Sequence, residues 1–171
     1  MGAGVAPKIE LLGTHHDRAN FSCGSADLDR YLRARARQDR DRKVAAVFVL
    51  VGDEPDRVAG FYTLSALALV VAELPPETAR KLPRYPLIPA SLIGRLAVDR
   101  RYQGRGYGEY LLMDALKRIL DHSTEIASFA AVVEAKSDAA RGFYGAYGFI
   151  PFPDYSERLF LSVATIERMF E

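Results

Sequence analysis

The sequence holds one cysteine, Cys23, so no disulfide forms within the chain, and no cysteine–histidine spacing in it resembles a zinc site. A reducing compartment, the cytoplasm, is expected. No apolar run approaches the ~20 residues a membrane-spanning helix needs. Residues 1–7 carry neither the charged n-region nor the apolar stretch of a secretion signal. Met1-Gly2 opens like a myristoylation site, but Ala6 stands where that motif takes serine or threonine. Neither secretion nor membrane attachment is expected. Internal repeats, low-complexity tracts and Gly/Ser-rich linkers are also missing, so residues 1–171 read as one domain, with disorder expected over 1–7. The net charge is only +1, which by itself names no polyanionic partner.

What is present is globular material: 49% hydrophobic and 26% charged residues, enough for a sizeable core and too apolar for a mainly disordered chain. The charges are segregated. Residues 27–43 hold seven basic against four acidic side chains, and residues 80–105 seven basic against Asp99 alone, leaving the remainder net negative. Such segregation points to an anionic ligand on one face, or to two solvated basic stretches.

Residues 9–12 read as a first strand, and 21–25 as a turn before a helix that Ser25 or Asp27 can cap through a side-chain oxygen. Leu28, Tyr31 and Leu32 form an apolar stripe while Arg30, Arg33, Arg37 and Arg40 project elsewhere, which predicts one amphipathic, strongly basic helix. Residues 44–51 and 58–71 read as a hairpin around Gly52-Asp53-Glu54-Pro55-Asp56. Pro75, Pro76, Pro83, Pro86 and Pro89 leave room only for a short helix near 77–82. A strand over 91–99, a loop over 100–105 and a helix over 106–120 follow, the helix burying Leu111, Leu112, Ala115, Leu116, Ile119 and Leu120. A strand over 129–135, a helix over 138–147 and strands over 149–152 and 158–163 close the chain. This order gives an α/β or α+β fold, a mixed sheet flanked by helices.

The chemistry-bearing stretch is Leu96-Ala97-Val98-Asp99-Arg100-Arg101-Tyr102-Gln103-Gly104-Arg105-Gly106-Tyr107-Gly108, set between a strand and a helix. A glycine-rich turn at that place lets several backbone N–H groups converge on one anion, and the helix adds its positive N-terminal end. The spacing matches neither the phosphate loop nor the dinucleotide fingerprint, because Gly104, Gly106 and Gly108 fall at alternate positions. Three glycines in five residues also suit an ordinary tight turn.

Gln103-Gly104-Arg105-Gly106-Tyr107-Gly108 resembles the Gln/Arg-x-x-Gly-x-Gly/Ala signature of the Gcn5-related N-acetyltransferases, and Phe143-Tyr144-Gly145-Ala146-Tyr147-Gly148-Phe149 resembles that family's Phe-Tyr-x-x-x-Gly-Phe ending. The resemblance implies one GNAT-like domain whose mixed, mostly antiparallel sheet splays at an acetyl-CoA site. It implies that Leu96, Ala97 and Val98 expose backbone to the pantetheine arm, while Gln103, Gly104, Arg105, Gly106, Tyr107 and Gly108 hold the pyrophosphate. The same strand residues also suit core packing, and Arg100, Arg101 and Arg105 suit either phosphate neutralisation or a solvated loop. Asp138 falls near the family's pantetheine-contacting asparagine, and equally suits a helix N-cap. Transfer needs no metal. Tyr144 matches the family's acid; a phenol with an ordinary pKa of about 10 is protonated at neutral pH. Tyr147 competes for that role, and core packing suits it better. No side chain stands out as a general base: Glu134 ends a strand and suits either action through a water or plain solvation, and His15 and His16 read as surface loop residues.

Phe21-Ser22-Cys23-Gly24-Ser25-Ala26-Asp27-Leu28-Asp29-Arg30-Tyr31-Leu32 resembles the opening of the acetyltransferase toxins of bacterial toxin–antitoxin pairs, with further likeness at Leu92 to Asp99 and Thr165 to Phe170. This implies acetylation of the α-amine of an aminoacyl-tRNA, a homodimer, and a ribbon-helix-helix antitoxin as partner. Arg33, Arg37 and Arg40, with Lys43 on the same predicted helix, and Arg95, with Arg80, Lys81 and Arg84, then read as contacts to tRNA phosphates. Cys23 reads as a core residue without a histidine to activate it. Two alternatives stay open: an acetyltransferase for a small-molecule amine or a protein N-terminus, and a non-catalytic acyl-CoA- or RNA-binding module.

Overall fold

The computed structural model describes residues 6–171. The expected disorder over 1–7 and the reading of Met1-Gly2 fall mainly on residues 1–5, outside the described residues. The elements run β1 (Lys8–Leu11), α1 (Ala26–Ala34), α2 (Ala36–Asp41), β2 (Ala46–Val51), β3 (Val58–Val70), α3 (Pro76–Ala79), β4 (Leu87–Val98), α4 (Tyr107–His122), β5 (Ala130–Glu134), α5 (Asp138–Ala146), β6 (Ile150–Phe152), β7 (Tyr155–Ser162) and α6 (Val163–Met169), with short 3-10 turns at Val71–Glu73 and Arg100–Tyr102. The strands form one seven-stranded sheet in the order β1-β2-β3-β4-β5-β7-β6. β1–β2, β2–β3, β5–β7 and β6–β7 pair antiparallel and β4–β5 parallel: the mixed sheet with helices that the element order predicts, mostly antiparallel as the family resemblance implies. No helix among the described residues is long and apolar enough to cross a membrane.

The chain divides into two compact units, one of the described residues up to Ser65 with Gly94–Ala115, the other of Ala66–Ile93 with Leu116–Glu171. In the first, β2 is an unbroken apolar run because both of its faces are covered. Val47 and Val49 join Leu12, Phe21, Tyr31, Leu32, Ala36, Val58, Phe61 and Ala97 in one core cluster. On the alternate positions Phe48 stacks on Tyr62 with ring centroids 5.0 Å apart. Ser25 caps α1, its side chain accepting from the Leu28 N–H, so Ser25 and not Asp27 is the cap. The single basic helix predicted over this region is two helices: the chain bends at Arg35 (φ −122°), and α2 starts on fully buried Ala36. Arg33 therefore lies on α1, Arg37 and Arg40 on α2, and Lys43 past its end in a left-handed conformation (φ 61°).

In the second unit Leu69, Leu74, Ile88, Ala90, Ala130, Val132, Phe152 and Phe160 form the core. β4 begins at Leu87, earlier than the strand start predicted at Ser91, and passes through Pro89. The prolines there lack an N–H yet keep their carbonyls in use: Pro86 accepts from the Val71 N–H at 3.1 Å and Pro89 from the Phe129 N–H at 2.9 Å. The final helix α6 was not predicted. Ser162 caps it, accepting from the Thr165 N–H at 3.2 Å, and Ile166 is its buried anchor.

Gly60 on β3 is a close-approach glycine: a Cβ there would meet Leu111 Cδ1 at 2.9 Å and the Ala97 carbonyl at 3.0 Å. Gly60→Val is expected to lower unfolding free energy by ~1–3 kcal/mol through overpacking, read as an earlier midpoint in urea; an unchanged midpoint would show that β3 and α4 tolerate the added bulk.

Candidate functional site

The glycine-rich turn is built outward from Asp99, the residue after β4. Its carboxylate is 2% exposed and accepts from the Ser22 N–H at 3.0 Å and the Arg101 N–H at 2.9 Å. Its own N–H donates to the Ala59 carbonyl at 2.8 Å. Gln103 braces the far side, its amide donating to the carbonyls of Cys23 at 3.0 Å and Val98 at 2.9 Å. Gly104 and Gly106 then take φ of +82° and +81°, a region that side-chain-bearing residues avoid, and open space lies where each would carry a Cβ. The first helical bond of α4 runs from the Tyr110 N–H to the Gly106 carbonyl at 3.0 Å, so the N–H groups of Tyr107, Gly108 and Glu109 precede it and have no intrahelical acceptor. Positive-φ glycines ahead of a 16-residue helix make an anion cradle of backbone amides.

The flanking side chains of this turn are tied down. Tyr102 and Tyr107 stack at 5.9 Å, and the Arg105 guanidinium lies 5.3 Å from the Tyr102 ring and 3.9 Å from Asp53. Leu96 and Val98 are half-buried, and Ala97 points into the first unit's core, as strand packing predicts. Cys23 packs against the same core, and burial pushes its thiol up to about 11, which leaves it inert as a nucleophile.

In the second unit Ser137 caps α5 by accepting from the Ala140 N–H at 3.1 Å, which corrects the reading of Asp138 as the cap. Asp138 is the first helical residue, its side chain 97% exposed and paired with Arg141. Tyr144, one turn further, is 8% exposed and meets Phe143 and Phe149 edge to face at 5.2 and 5.4 Å. Its hydroxyl has no hydrogen-bond partner among the described residues, and burial alone pushes its pKa up to about 12. A mostly buried phenol without a partner is a donor held in reserve. Glu134 is exposed at the end of β5 and lies 3.5 Å from Arg158, so it is a solvated ion-pair partner.

Of Arg33, Arg37, Arg40 and Arg95, all read as tRNA contacts, three have work inside the fold. Arg33 donates to the Phe21 carbonyl at 3.1 Å, Arg40 to the Leu12 carbonyl at 2.6 Å, and Arg95 lies 3.6 Å over the Tyr31 ring. Arg37 is more than half exposed, with Asp41 at 3.9 Å. Sequence reasoning missed three things. Asp99 as an anchor was legible as a short acidic side chain ahead of a helical turn. Tyr31 hydrogen-bonding Asp39 at 2.9 Å beneath Arg95 left no local signal. His16, predicted at the surface, is buried: its Nδ1 accepts from the Gly13 N–H at 2.8 Å and its Nε2 lies 2.7 Å from Glu10.

The pattern of the acetyltransferase (GNAT) family matches residues 14–149. The probable toxin TacT of Sinorhizobium fredii is 33% identical over 175 residues, covering 97% of both chains. A tRNA-acetylating toxin of Mycobacterium tuberculosis is 39% identical over 133 residues, 78% of both chains. Among solved structures, AtaT complexed with acetyl-methionyl-tRNAfMet superposes with a TM-score of 0.89 at 30% identity, covering 96% of this chain and 99% of that one. A variant of AtaT bound to the C-terminus of the antitoxin AtaR and acetyl-CoA superposes with a TM-score of 0.82 at 27% identity, covering 97% and 99%.

The raised phenol has a consequence for stability. In the unfolded chain Tyr144 loses its proton near its ordinary value of 10, and in the folded chain only near 12, so folding stability from this group is intact below pH 10 and lost as pH rises toward 12. Tyr144→Phe is expected to shrink the fall in unfolding free energy across that window by ~2–3 kcal/mol, measured by urea titration at successive pH values; an identical fall in the variant means that the phenol is not desolvated.

Proposed function

The chain belongs to the acetyltransferase (GNAT) family, and from that premise we propose that it transfers the acetyl group of acetyl-CoA to the α-amine of an aminoacyl-tRNA, ending that molecule's use in peptide-bond formation. The observation that carries the reading is its likeness, over nearly the whole chain, to a toxin solved with an acetylated aminoacyl-tRNA. In the same reading it acts in the cytoplasm, where tRNA is charged, works as a homodimer, and is neutralised by an antitoxin of the ribbon-helix-helix kind, as a single domain.

The residues present fit the co-substrate. The N–H groups ahead of the first bond of α4, with Gly104 and Gly106, hold the pyrophosphate, and the backbone of Leu96, Ala97 and Val98 pairs with the pantetheine amides. Gln103 serves by shaping the turn, since its side chain is engaged with Cys23 and Val98. When bound, acetyl-CoA supplies an activated thioester. The new C–N bond replaces the C–S bond, and the proton that the amine sheds ends on the thiol of coenzyme A.

Tyr144 hydrogen-bonds the sulfur as negative charge gathers there. A phenol near 12 lies well above the ~8.5 of a thiol, so complete proton donation to a thiolate is uphill. Its service is to donate a hydrogen bond and to relay the proton leaving the amine, rather than to be consumed as an acid. The α-amine of an aminoacyl ester titrates below the ~7.7–8.0 of an ordinary α-amine because the ester withdraws electrons. A large fraction is already neutral at physiological pH, which removes the need for a dedicated base. Asp138 sits at the start of α5, where its exposed carboxylate faces solvent and Arg141; a contact to pantetheine there requires that pair to open.

The experiment is incubation of the purified chain with labelled acetyl-CoA and charged or uncharged tRNA. Label is expected on charged tRNA only; label on free amines or protein N-termini without tRNA would turn the assignment to a small-amine or protein acetyltransferase, and binding without label to a non-catalytic module. Tyr144→Phe is expected to slow transfer by ~10²–10⁴-fold with coenzyme A affinity unchanged in calorimetry, and equal rates would remove the phenol from the reaction. For the tRNA surface, Arg37→Glu is the clean variant, because Arg33 and Arg40 also hold backbone carbonyls. It should raise the KM for charged tRNA and flatten its salt dependence while leaving acetyl-CoA binding intact; an unchanged salt slope would take Arg37 out of that interface.

A further inference from the structure

Away from the cradle and Tyr144, a cluster of metal-ligating side chains stands on β1, the loop after it and the β2–β3 turn. The ligating atoms of Glu10, His15 and His16 lie within 4.8 Å of one another. His15 Nε2 is 3.8 Å from Glu10 Oε1 and 3.8 Å from Asp56 Oδ1. Glu10, His15 and Asp56 line one cavity of about 230 Å³ together with Lys8 and Asp53. Around a zinc ion held at about 2.0–2.2 Å, neighbouring ligand atoms of a tetrahedron stand ~3.4 Å apart. His15 Nε2 stands 3.8 Å from a carboxylate oxygen of each of Glu10 and Asp56, so an ion beside it is flanked by both, with the fourth position open to the cavity.

His16 has a different part. Its Nδ1 accepts from the Gly13 N–H at 2.8 Å, which keeps the ring proton on Nε2, and Nε2 donates to Glu10 Oε1 at 2.7 Å. A metal on that nitrogen would force the proton onto Nδ1, against the Gly13 N–H. His16 is instead the outer partner that orients the Glu10 carboxylate, as carboxylate–histidine pairs do at metal centres. The charge balance favours a cation: three carboxylates, Glu10, Asp53 and Asp56, face one lysine, Lys8, whose exposed ammonium lies 3.5 Å from Glu10 and is free to swing away. Asp53 is partly offset by Arg105 at 3.9 Å. Asp56 itself stands at φ +65°, a conformation better suited to glycine, and its carbonyl is fixed by the Asp17 N–H at 2.6 Å.

We propose that Glu10, His15 and Asp56 form a site for one divalent transition-metal ion of the zinc class, with His16 positioning Glu10. The ion fastens β1, the 13–17 loop and the β2–β3 turn to one another, and it takes no part in acetyl transfer. The site was invisible in the sequence because its ligands are separated by more than forty residues and match no cysteine–histidine spacing.

The test is calorimetric titration of the full chain with zinc chloride after chelator treatment, with Tm measured in parallel. One ion per chain is expected, with a rise in Tm. His15→Ala is expected to weaken binding about tenfold or more while leaving the metal-free Tm unchanged. Asp56→Gly removes a ligand while relieving the backbone, so it should be at least as stable as the parent without zinc and lose the zinc-dependent rise. Absence of saturable binding, binding that His15→Ala leaves intact, or a zinc-dependent rise that survives Asp56→Gly would overturn the site.

Discussion

One buried carboxylate decides where the anion cradle can form. Asp99 is almost wholly out of water, a state tolerated only when its carboxyl oxygens find donors. Two backbone N–H groups from different segments, Ser22 and Arg101, supply them, while its own N–H and carbonyl engage Ala59 and Tyr102. The loop before α1, strand β3 and the turn after β4 thereby meet at one residue. Arg100 repeats the tie by donating to the Ser22 carbonyl at 2.8 Å. Because these bonds are made without any ligand, the amides of the following turn are ordered before an anion arrives. Little conformational entropy is then left to lose on binding, which is where a preorganised site gains affinity over a flexible loop.

In the proposed reaction the same logic separates the two roles by environment. The cradle needs exposed amides, and Gly104 and Gly106 give them by leaving space bare of side chains. Tyr144 needs the reverse. Its ring meets Phe143 and Phe149, its hydroxyl has no partner among the described residues, and desolvation holds the proton in place across the physiological range. In the proposed reaction, a hydrogen bond from so desolvated a phenol to the developing thiolate is worth more than it would be in water. In the proposed reaction the high pKa argues against a full acid and for a donor that keeps its proton across the physiological range.

Much of this was legible in the residues. Strand–turn–helix periodicity located β4, the glycine turn and α4 to within a few positions, because glycine spacing and an apolar stripe are local signals. The break between α1 and α2 was not legible: Arg35 and Ala36 are both compatible with a continuing helix, and the bend exists because Ala36 is drawn into a core made by distant residues, Val47, Val58 and Phe61. Likewise β4 runs through Pro89 because the carbonyls of Pro89 and of Pro86 just before the strand accept from Phe129 and Val71, partners that no window of sequence around Pro89 contains. His16 was misjudged for the same reason. Its burial depends on Glu10 and on a single backbone N–H, and a histidine pair in a polar loop looks alike whether solvated or enclosed.

The arginines show why counting charge is a poor guide to an interface, and why the count still matters. Arg18, Arg33 and Arg40 spend a guanidinium nitrogen on the carbonyls of Leu32, Phe21 and Leu12, so each is a structural tie as well as a charge. Yet a guanidinium carries five donors and keeps its charge when one of them is used. Its field reaches over a screening length of ~8 Å at physiological salt. An arginine fixed in this way has already given up its rotamer freedom on folding, so meeting a phosphate costs it less than it costs a loose lysine. Fixed arginines therefore serve the fold and a polyanion at once, whereas Arg37, lightly held by Asp41, is the side chain whose loss separates the two.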